Sequence, residues 1–308
     1  MQYQLTEEQI MIRDNARKLA QKEIAPRAAE IDVQAIHPWD IQKILAQQDF
    51  LGLNVPEQYG GCGSDLLSYC LVVEEIARVC GSSSLIIAGQ ELGMTPILLA
   101  GNEEQKKRWL PLMASGEHMV AFGLTEPEAG SDVASLRTRA VLEGDYYILN
   151  GQKTFISNAE VAQYYTVFAL TNPEKGSKGI SVFVLEKGMP GFSFGKKEEK
   201  MGMRGSQTAD LVFEDVKVPV ANRLGPEGIG FTIAMKTLDK TRPGIGAQAV
   251  GIAQGALDYA LGYAKERKQF GKPISSFQGI QFMLADMATQ IECARQLVYK
   301  SAVMVDLA

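Results

Sequence analysis

The sequence is poor in the residues that build metal sites and nucleic-acid surfaces. It has two histidines and four cysteines in 308 residues, and the cysteines share no close spacing of the kind that zinc sites use. Acidic residues outnumber basic ones by 36 to 31, and the net charge is -5, whereas nucleic-acid-binding domains usually carry a clustered basic face. We therefore expect no metal site, no nucleic-acid partner, and reduced thiols in a cytoplasmic protein.

Long apolar runs are also scarce. The amino terminus lacks the uninterrupted apolar core of a signal peptide, and we find no stretch of about 18 apolar residues that could cross a bilayer. With 46% hydrophobic and 22% charged residues, the composition is that of an ordinary globular protein. The length and composition predict two or three domains and no membrane partner.

The spacing of apolar residues divides the chain into three predicted domains. Residues 1–115 have helical periodicity, with helix starts at Thr6-Glu7-Glu8-Gln9 and Asn102-Glu103-Glu104-Gln105, where a polar side chain precedes a Gln by three positions. Residues 116–225 contain short aromatic and β-branched runs broken by turn residues, which is typical of an antiparallel β domain. Helical periodicity returns in residues 226–308.

The last domain is predicted to hold two long helices. One runs from Phe231 to Arg267 and is perturbed near Pro243, and the other begins at about Ser276 and continues to the end of the chain at Ala308. Two helices cannot bury their apolar faces alone, so we expect an incomplete helical bundle. The predicted fold class is α+β: an N-terminal all-α domain, a middle antiparallel β domain and a C-terminal helical bundle.

The most informative segment is Phe122-Gly123-Leu124-Thr125-Glu126-Pro127-Glu128-Ala129-Gly130-Ser131-Asp132, which follows an apolar strand-like run. Small and hydroxylated residues at the end of a strand let backbone N–H groups and hydroxyls approach a planar polar ligand. Taken alone, an ordinary surface turn explains the segment equally well. Four more segments carry recognisable patterns: Lys153 to Asn158, Met201 to Ser206, Leu238 to Pro243 and Ala264 to Met287.

In this order, the five segments resemble the acyl-CoA dehydrogenase family across nearly the whole chain. The resemblance implies an FAD-dependent flavoprotein oxidoreductase of fatty acid metabolism, which converts an acyl-CoA thioester to an enoyl-CoA. It also implies electron transfer to an electron-transfer flavoprotein and assembly as a homotetramer. An acyl-CoA oxidase and a non-catalytic relative that binds CoA esters remain alternatives.

The same resemblance implies which residues bind FAD. The Leu124 backbone and the Thr125 hydroxyl would contact the isoalloxazine ring near its reactive nitrogen, and the segment from Phe155 to Ser157 would line its other side. Three residues match positions that meet the FAD of a neighbouring subunit: Arg267, Phe270 and Gln278. A capping box formed by Ser275 and Gln278 also accounts for the last of these. The full implied set is Phe122, Leu124, Thr125, Ser131, Phe155, Ile156, Ser157, Arg267, Phe270 and Gln278.

For the thioester, the resemblance implies that Ser131, Asp239 and Arg242 hold the CoA portion. An i, i+3 ion pair on an exposed helix is the simpler explanation of Asp239 and Arg242. A hydroxylase or nitroalkane-oxidising relative would not need these two residues, which weighs against such an activity.

The resemblance does not place the usual catalytic base on any residue of this sequence. Most family members use a glutamate in a Tyr-Glu-Gly-Thr-like stretch that does not occur here, and the position used by a minority is Thr241. We therefore expect either that the chain is cut off at Ala308, with the usual glutamate base lying beyond it, or that another carboxylate serves.

The other carboxylate that the sequence offers is Glu91, in Gln90-Glu91-Leu92-Gly93, which stands where relatives commonly carry Asn-Ser-Leu. We expect Glu91 to be a base or a substrate-selecting group, as in relatives that oxidise cyclic acyl-CoA esters. An exposed or capped helix glutamate is the rival interpretation.

Overall fold

The computed structural model describes residues 4–307, which form two compact units. One unit combines residues 4–29, 65–84 and 242–307, and the other combines residues 30–64 and 85–241. The helices are α1 (Glu7–Leu19), α2 (Ala28–Gln34), α3 (Trp39–Ala46), α4 (Leu66–Ala77), α5 (Gly81–Ala100), α6 (Glu103–Ala114), α7 (Gly230–Glu266) and α8 (Gln278–Asp306).

The strands all lie between α6 and α7, except for a short hairpin between α7 and α8. They are β1 (Val120–Gly123), β2 (Arg139–Glu143), β3 (Tyr146–Ser157), β4 (Tyr164–Leu170), β5 (Ile180–Glu186), β6 (Phe192–Lys197), β7 (Thr208–Pro219), β8 (Arg223–Leu224), β9 (Lys268–Gln269) and β10 (Lys272–Pro273). The predicted order of a helical part, a β part and a second helical part is confirmed.

The last predicted helix is present as α8. The sequence predicts a helix from about Ser276 to the end of the chain, and α8 runs from Gln278 to Asp306, with Leu307 as its C-cap. Ala308 itself lies outside the described residues. The expectation that the chain is cut off there, before its usual base, therefore stays a prediction.

The first unit is built around α4, which is buried at all twelve of its positions and packs against α1 and α8. Two acidic side chains lie inside this core, and a buried carboxylate requires partners because it has lost its hydration. The Arg17 guanidinium binds Glu75 through two nitrogens, at 2.9 and 2.6 Å. Glu74 accepts from Arg295 and from the Tyr299 hydroxyl, each at 2.8 Å. These contacts fix how α1 and α8 pack against α4.

The second unit is built around an eight-stranded sheet in the order β6-β7-β3-β2-β4-β5-β8, with β1 paired to β4. Most neighbours are antiparallel, as predicted, but β1 and β2 both run parallel to β4. The hydrophobic core of this unit joins side chains of α5, α6, the first turns of α7 and the sheet; it includes Met94, Trp109, Phe168 and Ile233. This packing brings the start of β1 close to α5.

Two helix starts follow the predicted chemistry and one does not. Thr6 and Asn102 each form a capping box with the Gln three residues later, as expected. The capping box predicted for Ser275 and Gln278 is wrong, because Phe277 precedes the first helical residue and no side chain caps this end of α8 among residues 4–307. A short 3₁₀ turn at Ile274–Ser276 takes its place. In α7 the helical backbone continues through Pro243.

The helix α5 corrects the expectation that no segment is long and apolar enough to cross a membrane. Among the described residues, Gly81–Ala100 is the one helix that meets this criterion by length and composition. Its apolar window is 67% buried within the protein. A core helix of a globular protein has the same properties, because all of its faces contact apolar neighbours.

We expect Glu74→Ala to destabilise the protein by about 3 kcal/mol, because Arg295 then keeps a largely buried charge without its principal partner. Glu292 also binds Arg295, but its side chain is more than half exposed, so Glu292→Ala should cost no more than about 1 kcal/mol. Urea unfolding followed by circular dichroism measures both losses. Equal losses for the two variants would contradict the role given to Glu74.

Candidate functional site

The start of β1, the strand that leads into the loop at Leu124, is held by α5. Gln90, in α5, donates from its side-chain amide to the carbonyls of Met113 and His118 and accepts from the Val120 N–H at 3.0 Å. One buried side chain thus ties α5, the end of α6 and the start of β1 together. The loop from Leu124 to Ser131, here called the flavin loop because the family resemblance predicts that it contacts the flavin, begins directly after this strand.

Inside the flavin loop, Glu126 forms a buried ion pair with Lys153 of β3. The Lys153 ammonium lies 2.7 Å from Oε1 of Glu126, and the two side chains are 0% and 7% exposed. The Glu126 carboxylate also accepts from the backbone N–H groups of Arg137, at 2.6 Å, and Thr138, at 3.0 Å.

The electrostatics of this pair follow from its burial. Burial raises the pKa of the Glu126 carboxyl, but Lys153 and the neighbouring hydrogen bonds outweigh it and hold that pKa below its ordinary value. Burial lowers the pKa of the Lys153 ammonium to about 8, although Glu126 opposes the shift. Both groups therefore carry their charges at neutral pH.

The same lysine fixes the backbone of the flavin loop. Its ammonium donates to the Leu124 carbonyl at 3.2 Å. The next carbonyl, that of Thr125, accepts from the Thr154 N–H of β3 at 2.9 Å. Two successive peptide groups are thus anchored to β3.

The segment at the end of β3 presents a large apolar side chain to solvent. The register between β3 and β7 shifts between Lys153 and Ile156, and Phe155 there has φ +58° and is 65% exposed. A bulge of this kind redirects a side chain away from the regular alternation of a strand. Ile156 is buried, and Ser157 is exposed at the strand end.

These residues fit the ring system of FAD, which needs apolar contact on its faces and hydrogen-bond partners at its edges. Among residues 4–307, the hydroxyls of Thr125, Ser131 and Ser157 form no hydrogen bond with another protein group, so they remain available to a ligand. Phe155 supplies an exposed aromatic surface, and Phe122 is partly buried against the core beside the loop. When bound, FAD supplies the capacity to accept a hydride.

Glu91 is buried in α5, with 3% of its surface exposed, so its interpretation as an exposed helix glutamate is wrong. Its Oε1 accepts from the Asn54 amide at 3.3 Å. Burial raises the pKa of the Glu91 carboxyl, while the charge of Lys240 and the Asn54 hydrogen bond act in the opposite direction. Within residues 4–307, no cationic nitrogen lies within 4.0 Å of this carboxylate, so the acid is buried without a contact ion pair.

The remaining predicted residues lie on or after α7. Asp239 and Arg242 are both exposed and three residues apart on this helix. Thr241 is buried and donates its hydroxyl to the Thr237 carbonyl at 2.9 Å, which satisfies it within the helix. Arg267, Phe270 and Gln278 are exposed around the β9–β10 hairpin, and Phe270 has φ +51°. Exposed residues of this kind are suited to contacts outside the unit that holds them.

A loop with free hydroxyls and an exposed aromatic ring, on a β domain with helical parts before and after it in the chain, is suited to binding a flavin. Three family models match this chain: the acyl-CoA dehydrogenase N-terminal domain at residues 6–117, the middle domain at 121–216 and the C-terminal domain at 228–308. The chain belongs to the acyl-CoA dehydrogenase family. It is an FAD-dependent oxidoreductase with acyl-CoA dehydrogenase activity.

The chain is similar to several known relatives over almost all of its length. It is 50% identical to a short-chain-specific acyl-CoA dehydrogenase of Clostridium acetobutylicum, covering 98% of this chain and 80% of the relative. It is 48% identical to a cyclohex-1-ene-1-carbonyl-CoA dehydrogenase of Geobacter metallireducens, with the same coverage. A chain in a solved structure described as the electron transferring flavoprotein of Acidaminococcus fermentans is 51% identical and superposes with a TM-score of 0.98, covering 99% and 81%.

Sequence reasoning did not identify the Lys153–Glu126 pair or the Asn54 contact to Glu91. The partners are 27 and 37 positions apart, so no local spacing links them. One feature of the sequence could have indicated the pair. Lys153 lies in a segment that the resemblance places near the flavin, and a lysine that is buried there needs a charged partner because an unpaired buried charge is costly.

We expect Glu91→Gln to stabilise the protein at alkaline pH. A carboxyl whose pKa is raised on folding penalises the folded state once it ionises, and that penalty disappears as pH falls towards the unfolded pKa. The urea midpoint of Glu91→Gln should therefore exceed that of the wild type at pH 8, and the two should converge towards pH 4.5. Glu143→Gln, at an exposed position of β2, is the matched control. A constant offset across this range would contradict the prediction.

Proposed function

We propose that the protein oxidises a short-chain acyl-CoA to the corresponding 2-enoyl-CoA and passes the electrons to an electron-transfer flavoprotein. The observation that carries the proposal is the flavin loop, whose backbone is anchored by Lys153 and whose Thr125 hydroxyl remains available. The short-chain preference is supported by the 50% identity to the short-chain-specific relative. The electron acceptor is supported by the 51% identity to a chain in the electron transferring flavoprotein structure.

Within this proposal the predicted residues keep their roles. Leu124, Thr125, Phe155, Ile156 and Ser157 contact the flavin ring together with Phe122. Ser131, Asp239 and Arg242 bind the CoA portion. Arg267, Phe270 and Gln278 reach the FAD of a neighbouring subunit in a homotetramer, for which their exposure is a requirement. The reaction takes place in the cytoplasm, where the four free cysteines would stay reduced.

The reaction itself sets the demands on the site. A proton must leave the carbon next to the thioester carbonyl, and a hydride must leave the following carbon for the flavin. Donors placed where negative charge develops stabilise such a transition state more in a dry interior than in water. The Thr125 hydroxyl and the backbone of the flavin loop are suited to this task because the loop cannot reorient without breaking its contacts to β3.

We expect anaerobic butyryl-CoA to bleach the visible absorbance of the FAD-loaded protein. Electron-transfer flavoprotein should then restore the absorbance faster than air does, because a dehydrogenase protects its reduced flavin from oxygen. Stopped-flow spectroscopy measures both rates. Faster recovery in air would identify an acyl-CoA oxidase instead, and an unbleached flavin would refute the proposed reaction.

A second candidate is the oxidation of a cyclic acyl-CoA with Glu91 as the base. Two observations favour it: Glu91 is a buried carboxyl without a contact ion pair, and the chain is 48% identical to a cyclohex-1-ene-1-carbonyl-CoA dehydrogenase. A base that is not neutralised by a cation remains able to take up a proton. An acid next to a ring could remove a proton from a carbon remote from the thioester.

We expect Glu91→Gln to lower turnover of cyclohex-1-ene-1-carbonyl-CoA by roughly 10²- to 10⁴-fold, the usual contribution of a positioned base. Glu91→Asp should retain part of the activity, and Glu143→Gln should retain all of it. Product regiochemistry, determined by mass spectrometry and NMR, shows which carbon lost the proton. Unchanged turnover of both this substrate and butyryl-CoA in Glu91→Gln would exclude a catalytic role for Glu91.

A further inference from the structure

The buried ion pair between Lys153 and Glu126 carries two charges to which the proposed flavin and substrate contacts give no role. Lys153 and Glu126 place a full positive and a full negative charge inside the protein, both almost without solvent contact. Burying two ions is costly even when they are paired. Replacing a buried ion pair by well-packed hydrophobic residues is often neutral or stabilising, so the charges themselves need an explanation.

We propose that Lys153 and Glu126 are positioning residues that orient the peptide groups of the flavin loop and set the reduction potential of the flavin. The inference rests on the proposed contacts of Leu124 and Thr125 with the isoalloxazine ring. It assigns the pair a role towards the cofactor rather than towards the substrate.

The orienting role follows from the planarity of the peptide bond. The Leu124 carbonyl points at the Lys153 ammonium, 3.2 Å away. In a trans peptide the N–H of the next residue points in the opposite direction, so the Thr125 N–H is directed away from the buried lysine. The Thr125 carbonyl is held in turn by the Thr154 N–H at 2.9 Å. The loop therefore offers one backbone donor and one hydroxyl of Thr125 in a fixed arrangement.

The electrostatic role follows from charge balance. Reduction places additional electron density on the flavin, and charges in a poorly solvated interior act on it with little screening. The intact pair is neutral overall, and the two backbone N–H groups that donate to Glu126 keep its charge in place. Loss of the lysine alone would leave an uncompensated anion beneath the loop. Loss of both charges would restore neutrality.

The test is a charge cycle on the FAD-loaded enzyme, with the flavin reduction potential as the main measurement. Lys153→Met should lower the potential, because the remaining Glu126 anion disfavours the reduced flavin. Lys153→Met/Glu126→Gln should return the potential towards the wild-type value, although the hydrogen bond to Leu124 is still missing. Both variants should weaken FAD binding by roughly tenfold, since the loop loses its anchor.

A purely structural pair would behave differently. It would shift the potential equally in the single and double variants, and that result, or an unchanged potential in Lys153→Met, overturns the inference. Should Lys153→Met not fold, Glu126→Gln alone decides: the uncompensated Lys153 cation is expected to raise the potential, and an unchanged or lowered potential contradicts the electrostatic role.

A matched control lies close to the same loop. Arg137 and Glu128 form an ion pair at 2.8 Å, but their side chains are 78% and 71% exposed. Solvent screens such a pair, so Arg137→Met should leave the potential and the FAD affinity unchanged. If butyryl-CoA fails to reduce the wild-type flavin, the proposed function is wrong. If it reduces the flavin but the variants of the charge cycle all have the wild-type reduction potential, this inference alone is wrong.

Discussion

The buried ion pair between Lys153 and Glu126 is the interaction on which the candidate site depends. Through it a strand in the middle of the sheet, a loop at the end of another strand and the backbone before β2 are held together. The pair is tolerated because each ion has several partners, which recover part of the lost hydration. A rigid loop is the consequence, and a flavin benefits from donors that do not move as its charge changes.

Buried acids in the protein have two kinds of surroundings. Glu74 and Glu75 in α4 are compensated by arginines at hydrogen-bond distance, and they fix helix packing. Glu91 in α5 has an amide contact at 3.3 Å and a lysine charge beyond ion-pair distance. The carboxylates of Glu74 and Glu75 are held by cationic partners, whereas that of Glu91 has no cationic partner at contact distance among residues 4–307. The contrast separates a structural acid from one suited to chemistry.

Much of the fold could be predicted from local patterns. The capping boxes at Thr6 and Asn102, and the Gly144-Asp145 turn between β2 and β3, depend on residues within a few positions of each other. The cap of α8 could not be predicted in this way. A 3₁₀ turn at Ile274–Ser276 precedes the helix, and Phe277, which has no capping side chain, is the residue before its first turn. The strand β6 has only six residues, including a glycine, so its own sequence favours a strand only weakly. Its pairing with β7 stabilises it as a strand.

The flavin loop could be recognised from its residues, but the forces that shape it could not. The family resemblance of its residues predicts a ligand-binding turn, yet the sequence alone gives Glu126 no visible partner. Only the sheet brings Lys153 beneath it, across 27 positions. The burial of Glu91 likewise depends on how α5 packs in its unit. Helical spacing alone does not show that the side of α5 that carries Glu91 faces Asn54. Tertiary contacts therefore decide which of several similar acids anchors a loop and which remains able to exchange a proton.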